Sequence, residues 1–357
     1  MYPKPMRLNC FIFQQGENEM GGINNLNRIR KMPIFLSFIN KWGTLVTVVV
    51  LFLLFTFLNW NTKTNSSMFL TFSNMITILR TISITAIIAI GLTFALAVNG
   101  MDLSIGATAN FADTFIMTMF VWYNLNIGVS ILLTILVCLS VSAINSFLIV
   151  KLRIPDMVAA LSVMFMYQGV ALTYSNGGAI TERMTRPDGT QAPGLVPPIF
   201  RALGKEPYLI IIMLSVVLFT FFFLRYTKHG RYMYAVGGNP EAARLSGISV
   251  AKYKILAYVL SAVFASLGGI CLAARVGTAQ VSAGDAYLMP AVAAAYIGFS
   301  VAGSGKPNAE GTLVGAILIG MLENGLIMAS VPYFAMNIIK GAVLAIALAM
   351  TYSKKSK

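Results

Sequence analysis

The 357-residue chain is 57% hydrophobic and only 11% charged, less than half the ~25% charged content of ordinary soluble domains, so little of its surface needs water. It carries 26 Lys and Arg against 12 Asp and Glu, a net charge of +14. Those positive charges lie in the gaps between apolar runs, as in the loops of membrane proteins, which removes the case for a nucleic-acid partner.

Residues 1–41 are mixed in character and lack an apolar core, so no signal-peptide pattern is present. Arg28, Arg30, Lys31 and Lys41 precede the first long apolar run and predict a cytoplasmic N-terminal tail. A helix needs about 20 apolar residues to cross a bilayer. On that ruler the first span runs from Trp42 to Trp60, with a tryptophan for each interface. A second apolar run ends near Val98, and after the break at Asn99-Gly100-Met101-Asp102 a third reaches Tyr123. The fourth covers Ile127–Val150, and the fifth extends to Tyr174. A Gly- and Pro-rich loop, 175–206, separates it from a sixth span, Pro207–Leu224. A basic loop over 225–254 follows. Four further runs are Ile255–Ala274, Leu288–Ala302, Gly311–Ser330 and Phe334–Tyr352, before the basic tail 353–357. The Leu288 run is short for a crossing and is expected to tilt or to thin the bilayer.

The expected fold is therefore all-α, a polytopic membrane domain over 42–352 with about ten transmembrane helices. An even count places both termini on one face. The tail 1–41, the Lys151/Arg153 turn, loop 225–254 and tail 353–357 all share that face and are all basic, whereas loop 175–206, on the other, has little net charge. That agreement predicts N-in, C-in topology.

The single histidine, His229, and the separated Cys10, Cys138 and Cys271 supply no metal-ligand spacing. Neither a metal nor a cofactor is expected, and no catalytic residue is assigned. Ser304-Gly305-Lys306 fails the phosphate-loop pattern, since Ser300 stands at the first glycine position and Pro307 at the last. ATP is thus not expected to bind this chain. Gly311 and Gly315 have the spacing that lets membrane helices approach closely. Glu323 lies inside an apolar run and is a pathway candidate with Asn324. Arg80 and Lys340 lie nearer span ends, where snorkelling explains them.

Loop 225–254 contains a complete set of helix signals. Asn239 is a good N-cap, Pro240 suits the first helical position, Glu241 complements the dipole, and Gly247 suits a left-handed stop. About two turns are specified, too few to be stable alone. Ala242 and Ala243 give the helix a low profile and Leu245 offers an apolar anchor. A surface connector and a docking helix fit this pattern equally.

The stretch Gly230–Ile248, with Glu241, Ala242, Ala243 and Gly247 at its core, resembles the cytoplasmic loop of ribose-type ABC permeases. Asn99-Gly100-Met101-Asp102-Leu103-Ser104-Ile105-Gly106 is similar to a second motif of that family, and the likeness continues over roughly 75–350. It implies that Asn239, Pro240, Glu241, Ala242, Ala243, Leu245 and Gly247 form a helix that docks on a separate ATP-binding subunit. It further implies a periplasmic or extracellular solute-binding protein, a second permease copy or paralogue, a bacterial inner (plasma) membrane location and a sugar-like solute. Gly298-Phe299-Ser300, Gly303–Asn308 and Glu323-Asn324 depart from the family pattern, which bears on solute preference more than on fold. For Asn99, Gly100, Asp102 and Ser104 two readings stand: a cap for the next helix, or a broken segment on the translocation pathway. An ion-coupled secondary transporter is the alternative function. It calls for several intramembrane carboxylates or histidines, and only Asp113 and Glu323 lie clearly inside runs.

Overall fold

The computed structural model describes residues 34–61, 66–186, 188–299 and 305–332, with 334–336, 338–342 and 345 beyond them. Helix α1 (Ile34–Leu58) leads to a two-residue antiparallel ribbon, β1 (Trp60–Asn61) and β2 (Ser66–Ser67), with Trp60 opposite Ser67. Then come α2 (Phe72–Ala97), α3 (Ile105–Val121) and α4 (Ile127–Ser146), which is extended by a π-turn over Phe147–Lys151. Helix α5 (Asp156–Tyr174), the short α6 (Pro198–Leu203) and α7 (Tyr208–Tyr226) follow. The chain continues through α8 (Lys228–Gly238), α9 (Pro240–Leu245), α10 (Val250–Val276), α11 (Leu288–Gly298) and α12 (Ala309–Met328).

Among the described residues, α2, α4 with its π-turn, α5, α7, α10 and α12 are long and apolar enough to cross a membrane. They sort into two layers. Of their apolar windows, 67% is buried in α2, 67% in α10 and 61% in α12, against 28% in α4, 28% in α5 and 33% in α7. The outer helices turn large apolar side chains such as Leu132, Leu136, Phe165, Leu214 and Phe222 outward. A helix with one apolar face outward and one inward fits between lipid and protein, whereas α2, buried without interruption from Ile82 to Val98, is enclosed by protein all round.

Small residues allow that enclosure. A Cβ added at Gly315 would lie 2.2 Å from the Ala294 carbonyl oxygen, and one at Gly311 2.2 Å from that of Gly298. The Gly311/Gly315 spacing is thus the seam between α11 and α12, as close-approach packing requires. Thr93 and Thr312 meet at 2.8 Å between α2 and α12.

Two sequence expectations, the start of the first span and the extent of the eighth, are corrected. Helix α1 begins at Ile34 rather than Trp42, so its first turns lie in the predicted tail. The Leu288 run is helical only over α11, 11 residues or about 16 Å and too short to cross, and is preceded by irregular backbone over 277–284 and a 3-10 turn at Asp285–Tyr287. The 175–206 loop is folded, since α6 buries Phe200 edge-on against Phe120 at 4.7 Å and Glu182 pairs with Arg201 at 2.8 Å. Most of the Phe334–Tyr352 span, the tail 353–357, Cys10 and the Arg28–Lys31 cluster lie outside the described residues.

Gly315→Ala is expected to lower the thermal midpoint of the detergent-solubilised protein by several degrees, since overpacking a tight seam costs ~1–3 kcal/mol. Gly169→Ala, where an added Cβ meets nothing within 4 Å, is expected to leave the midpoint in place. Equal midpoints for the two variants would remove the close α11–α12 seam.

Candidate functional site

One end of the bundle is closed by α8 and α9. Thr227 caps α8 by accepting from the Gly230 amide at 3.1 Å, and the helix buries Gly230, Met233 and Val236 at a spacing of three. A Cβ at Gly237 would sit 2.3 Å from the Ala97 carbonyl oxygen, so glycine lets α8 rest directly on the end of α2. The Tyr234 hydroxyl donates to the Pro307 carbonyl at 2.5 Å, which fastens α8 to the entry of α12. Burial, reinforced by the nearby Glu310 carboxylate, pushes the Tyr234 phenol up to about 12, so it stays a donor.

Helix α9 has the geometry its residues specify. The Asn239 side chain accepts from the Ala242 amide at 3.0 Å, Pro240 opens the helix, and Gly247 is left-handed at φ 78°. Glu241 and Arg244 pair at 2.6 Å on the exposed surface. The two alanines separate: Ala243 is buried against the bundle, and Ala242 is exposed, so only Ala242 offers the low profile expected of both. Leu245 is 86% exposed, a large apolar side chain held out from a capped and anchored helix.

The second cluster is the break between α2 and α3. Asn99, rather than Gly100, takes the left-handed turn, at φ 56°, a conformation asparagine tolerates better than most residues. Gly100 serves close packing, since its missing Cβ would lie 2.7 Å from Asp156 Oδ2 and 2.9 Å from the Tyr258 hydroxyl. Asp102 is 2% exposed. Its Oδ1 accepts from the Ser104 amide at 3.0 Å and the Ser104 hydroxyl at 2.5 Å, while Oδ2 accepts from Ser261 on α10 at 2.7 Å. Asn145 of α4 donates to Ser104 at 2.8 Å. Asp102 is therefore more than a local cap: with Ser104 it joins α3, α4 and α10. Nearby, Lys254 of α10 reaches both oxygens of Asp156 on α5 at 3.0 and 3.2 Å. Asp156, Lys254, Tyr258, Ser261 and Asn145 went unmarked in the sequence. The available signal was two opposite charges, each at the start of its own apolar run.

Glu323 and Asn324 belong elsewhere. Asn324 donates to Asn74, at the start of α2, at 3.0 Å, whereas Asp102 follows the end of α2, a helix of 26 residues or about 39 Å. The structure does not bring the two groups of pathway candidates together. Glu323 pairs with Lys340 at 2.9 Å, and Arg80 pairs with Glu206 at 3.6 Å. Both cations thus have carboxylate partners, which corrects the snorkelling expectation.

With this arrangement in view, the comparisons are decisive. Residues 74–348 match the model of the family described as "Branched-chain amino acid transport system / permease component". The chain belongs to this permease family. It is similar to the ribose import permease protein RbsC of Escherichia coli (strain K12), 34% identical over 82% of this chain and 90% of the relative. It is similar also to the ribose import permease protein RbsC of Bacillus subtilis (strain 168), 31% identical over 79% of this chain and 86% of the relative. The xylose transport system permease protein XylH of E. coli (strain K12) is 26% identical over 87% of this chain and 92% of the relative. No solved structure matches. As a member of the permease family the chain is a multi-pass membrane transport protein, not an enzyme.

Two predictions follow from the permease's polar contacts. Asp102→Ala leaves the Ser104 and Ser261 donors unpaired inside the bundle, at ~1–3 kcal/mol. It is expected to reduce the folded yield and thermal midpoint well below those of Asp102→Asn, which keeps one acceptor; equal losses would mean the carboxylate bonds contribute little. The Tyr234 phenol titrates about 12 in the fold against its ordinary 10. A raised folded value makes its contribution complete below pH 10 and lost as pH climbs through 12. The midpoint difference between wild type and Tyr234→Phe is expected to hold constant below pH 10 and to close above it.

Proposed function

We propose that this chain is the membrane-spanning permease subunit of an ABC importer in the bacterial inner membrane, carrying a sugar or sugar-like solute. ATP hydrolysis in a separate subunit drives it. The sugar assignment is supported by relatives named for ribose import and xylose transport, each aligned over most of its length. In this reading the domain 42–352 makes about ten crossings with both termini inside, loop 225–254 faces the ATP-binding subunit, and loop 175–206 faces a periplasmic or extracellular solute-binding protein. A second permease copy or paralogue completes the path.

The observation that carries the reading is α9. A six-residue helix is too short to persist alone. Here it is capped by Asn239, rooted by Ala243, and presents Glu241, Ala242 and Leu245 outward. An 86% exposed leucine beside a low-profile alanine is a surface built for a groove in another protein. Asn239, Pro240 and Gly247 set its two ends. Asn99, Gly100, Asp102 and Ser104 sit just behind this helix pair and transmit its displacement to α3, α4 and α10. Glu323 and Asn324 occupy the far end, where solute enters.

The test is a pull-down of tagged permease from mild detergent, read by mass spectrometry and ATPase activity. Wild type is expected to recover an ATP-binding subunit. Glu241→Arg and Leu245→Asp, expressed equally, are expected to recover at least about tenfold less, since truncated anchors at such contacts cost ~2 kcal/mol or more. Recovery of no ATPase at native expression, with D-ribose and D-xylose uptake following an ion gradient, would replace the importer with a secondary transporter.

A further inference from the structure

Backbone that leaves a helix inside a membrane is tolerated where it is buried in protein or lines a water-filled path. Segment 277–287 is such backbone. Gly277 ends α10 in the left-handed conformation at φ 75°, beside the folded 175–206 loop, whose Ile180 bridges Ala279. By Gly284 the chain has descended to Asn110: a Cβ at Gly284 would lie 2.2 Å from the Asn110 amide nitrogen. Asn110 is eleven residues below the outer end of α3, about 16 Å. Helix α11 starts there, at depth, and descends past Met101, whose sulfur meets the Tyr296 hydroxyl at 3.6 Å.

Asp113 lies one turn above Asn110 on α3. It is 1% exposed, and among the described residues it is the one carboxylate with both oxygens buried and without a hydrogen-bond partner. The Gln280 backbone N–H is directed at this carboxylate. Asp285, on the re-entrant segment, has one oxygen in the same condition. This is the opposite of Asp102, whose two oxygens take three donors from the protein. Bare carboxylate oxygens at depth are costly unless something supplies donors. Beside them, Tyr287 is within electrostatic reach of Asp113, of Glu323 at the far end of α12, and of Arg275 at the end of α10. Polar groups thus continue from Asp113 towards the outer end of the bundle.

We infer that Asp113, opposite segment 280–287, is the hydroxyl-accepting residue of a solute subsite about halfway along the permease. Its two oxygens match a vicinal diol of a neutral polyol, each accepting one hydroxyl. This inference rests on the sugar-importer reading for its choice of solute. The placement of Asp113 on the path rests on the geometry alone.

The test uses the assembled transporter in proteoliposomes, with ATP-binding subunits and solute-binding protein. In permease lacking Cys10, Cys138 and Cys271, Asp113→Cys is labelled with a membrane-impermeant methanethiosulfonate. The reference retains Cys138, fully buried in α4, as its single thiol. Labelling at least about tenfold faster at position 113, slowed by saturating D-ribose or D-xylose, is expected. Asp113→Asn, nearly isosteric, is expected to raise the KM for uptake of the transported pentose about tenfold or more, with the complex recovered intact by gel filtration. Labelling as slow as that of Cys138 would overturn the inference, because position 113 would then be packed interior. Fast labelling with wild-type uptake kinetics in Asp113→Asn would overturn it equally. If wild type carries neither pentose, the pentose reading fails by itself, and the labelling contrast decides the position of Asp113.

Discussion

Within a lipid bilayer every backbone amide and carbonyl that leaves a helix has to find its partner inside the protein. That constraint organises this permease. Among the described residues the chain leaves α-helical geometry inside the bundle at 98–104 and at 277–287, and the two breaks are satisfied differently. At the first, Gly100 donates back to Ala95 at 2.9 Å, and Asp102 takes the Ser104 amide while holding Ser261. The break is closed on itself and doubles as a joint between helices. At the second, Ala279 pairs with Ile180 and Gly284 reaches for Asn110 at 3.4 Å, so two distant partners add to the turns that Ala283, Asp285 and Tyr287 make on Gln280, Ser282 and Gly284. Helix α2, which ends at the first break, is buried from Ile82 to Val98, and the outer helices keep apolar faces exposed.

The contacts at the α8–α9 end and those deeper in the bundle differ in kind. At the α8–α9 end, interactions are numerous and mutually supporting: Tyr234 on Pro307, Lys254 on Asp156, Gly237 against Ala97. Helix α8, which leads into α9, meets α2 through backbone at Gly237 and the entry of α12 through the Tyr234 side chain. Towards the other end the interior carries polar groups that the protein leaves incompletely paired, Asp113 above all. A transporter of hydroxylated solutes needs both properties, firm contacts where force enters and unspent acceptors where solute passes.

Legibility followed the range of the interactions involved. The helix α9 could be read residue by residue, because caps, first-turn charges and left-handed stops act within a few residues of one another. Six of the ten expected spans are long apolar helices among the described residues, legible because a bilayer imposes a length on apolar runs. The roles of Asp102 and Gly100 were misread in part. Capping was visible as a local possibility, but Ser261 lies 159 residues away, and nothing in a local window can reveal such a partner. Lys340 was assigned to snorkelling for the same reason, its Glu323 partner being supplied by the packing of a separate helix.

The sequence by itself determined the membrane class, the helical spans, the capped α9 and the family to which the chain belongs, since composition, run length and nearest-neighbour chemistry are all written along the chain. Tertiary structure alone decided which helices are enclosed and which face lipid, because an apolar residue is equally at home against either. It decided that the short eighth run is helical over only 11 residues and is preceded by irregular backbone and a 3-10 turn, since apolar length alone does not fix where a helix starts. It also decided which of two carboxylates eleven residues apart, Asp102 and Asp113, takes several side-chain donors from the protein. That depends on donors brought from distant helices, and the bundle chooses them only when it closes.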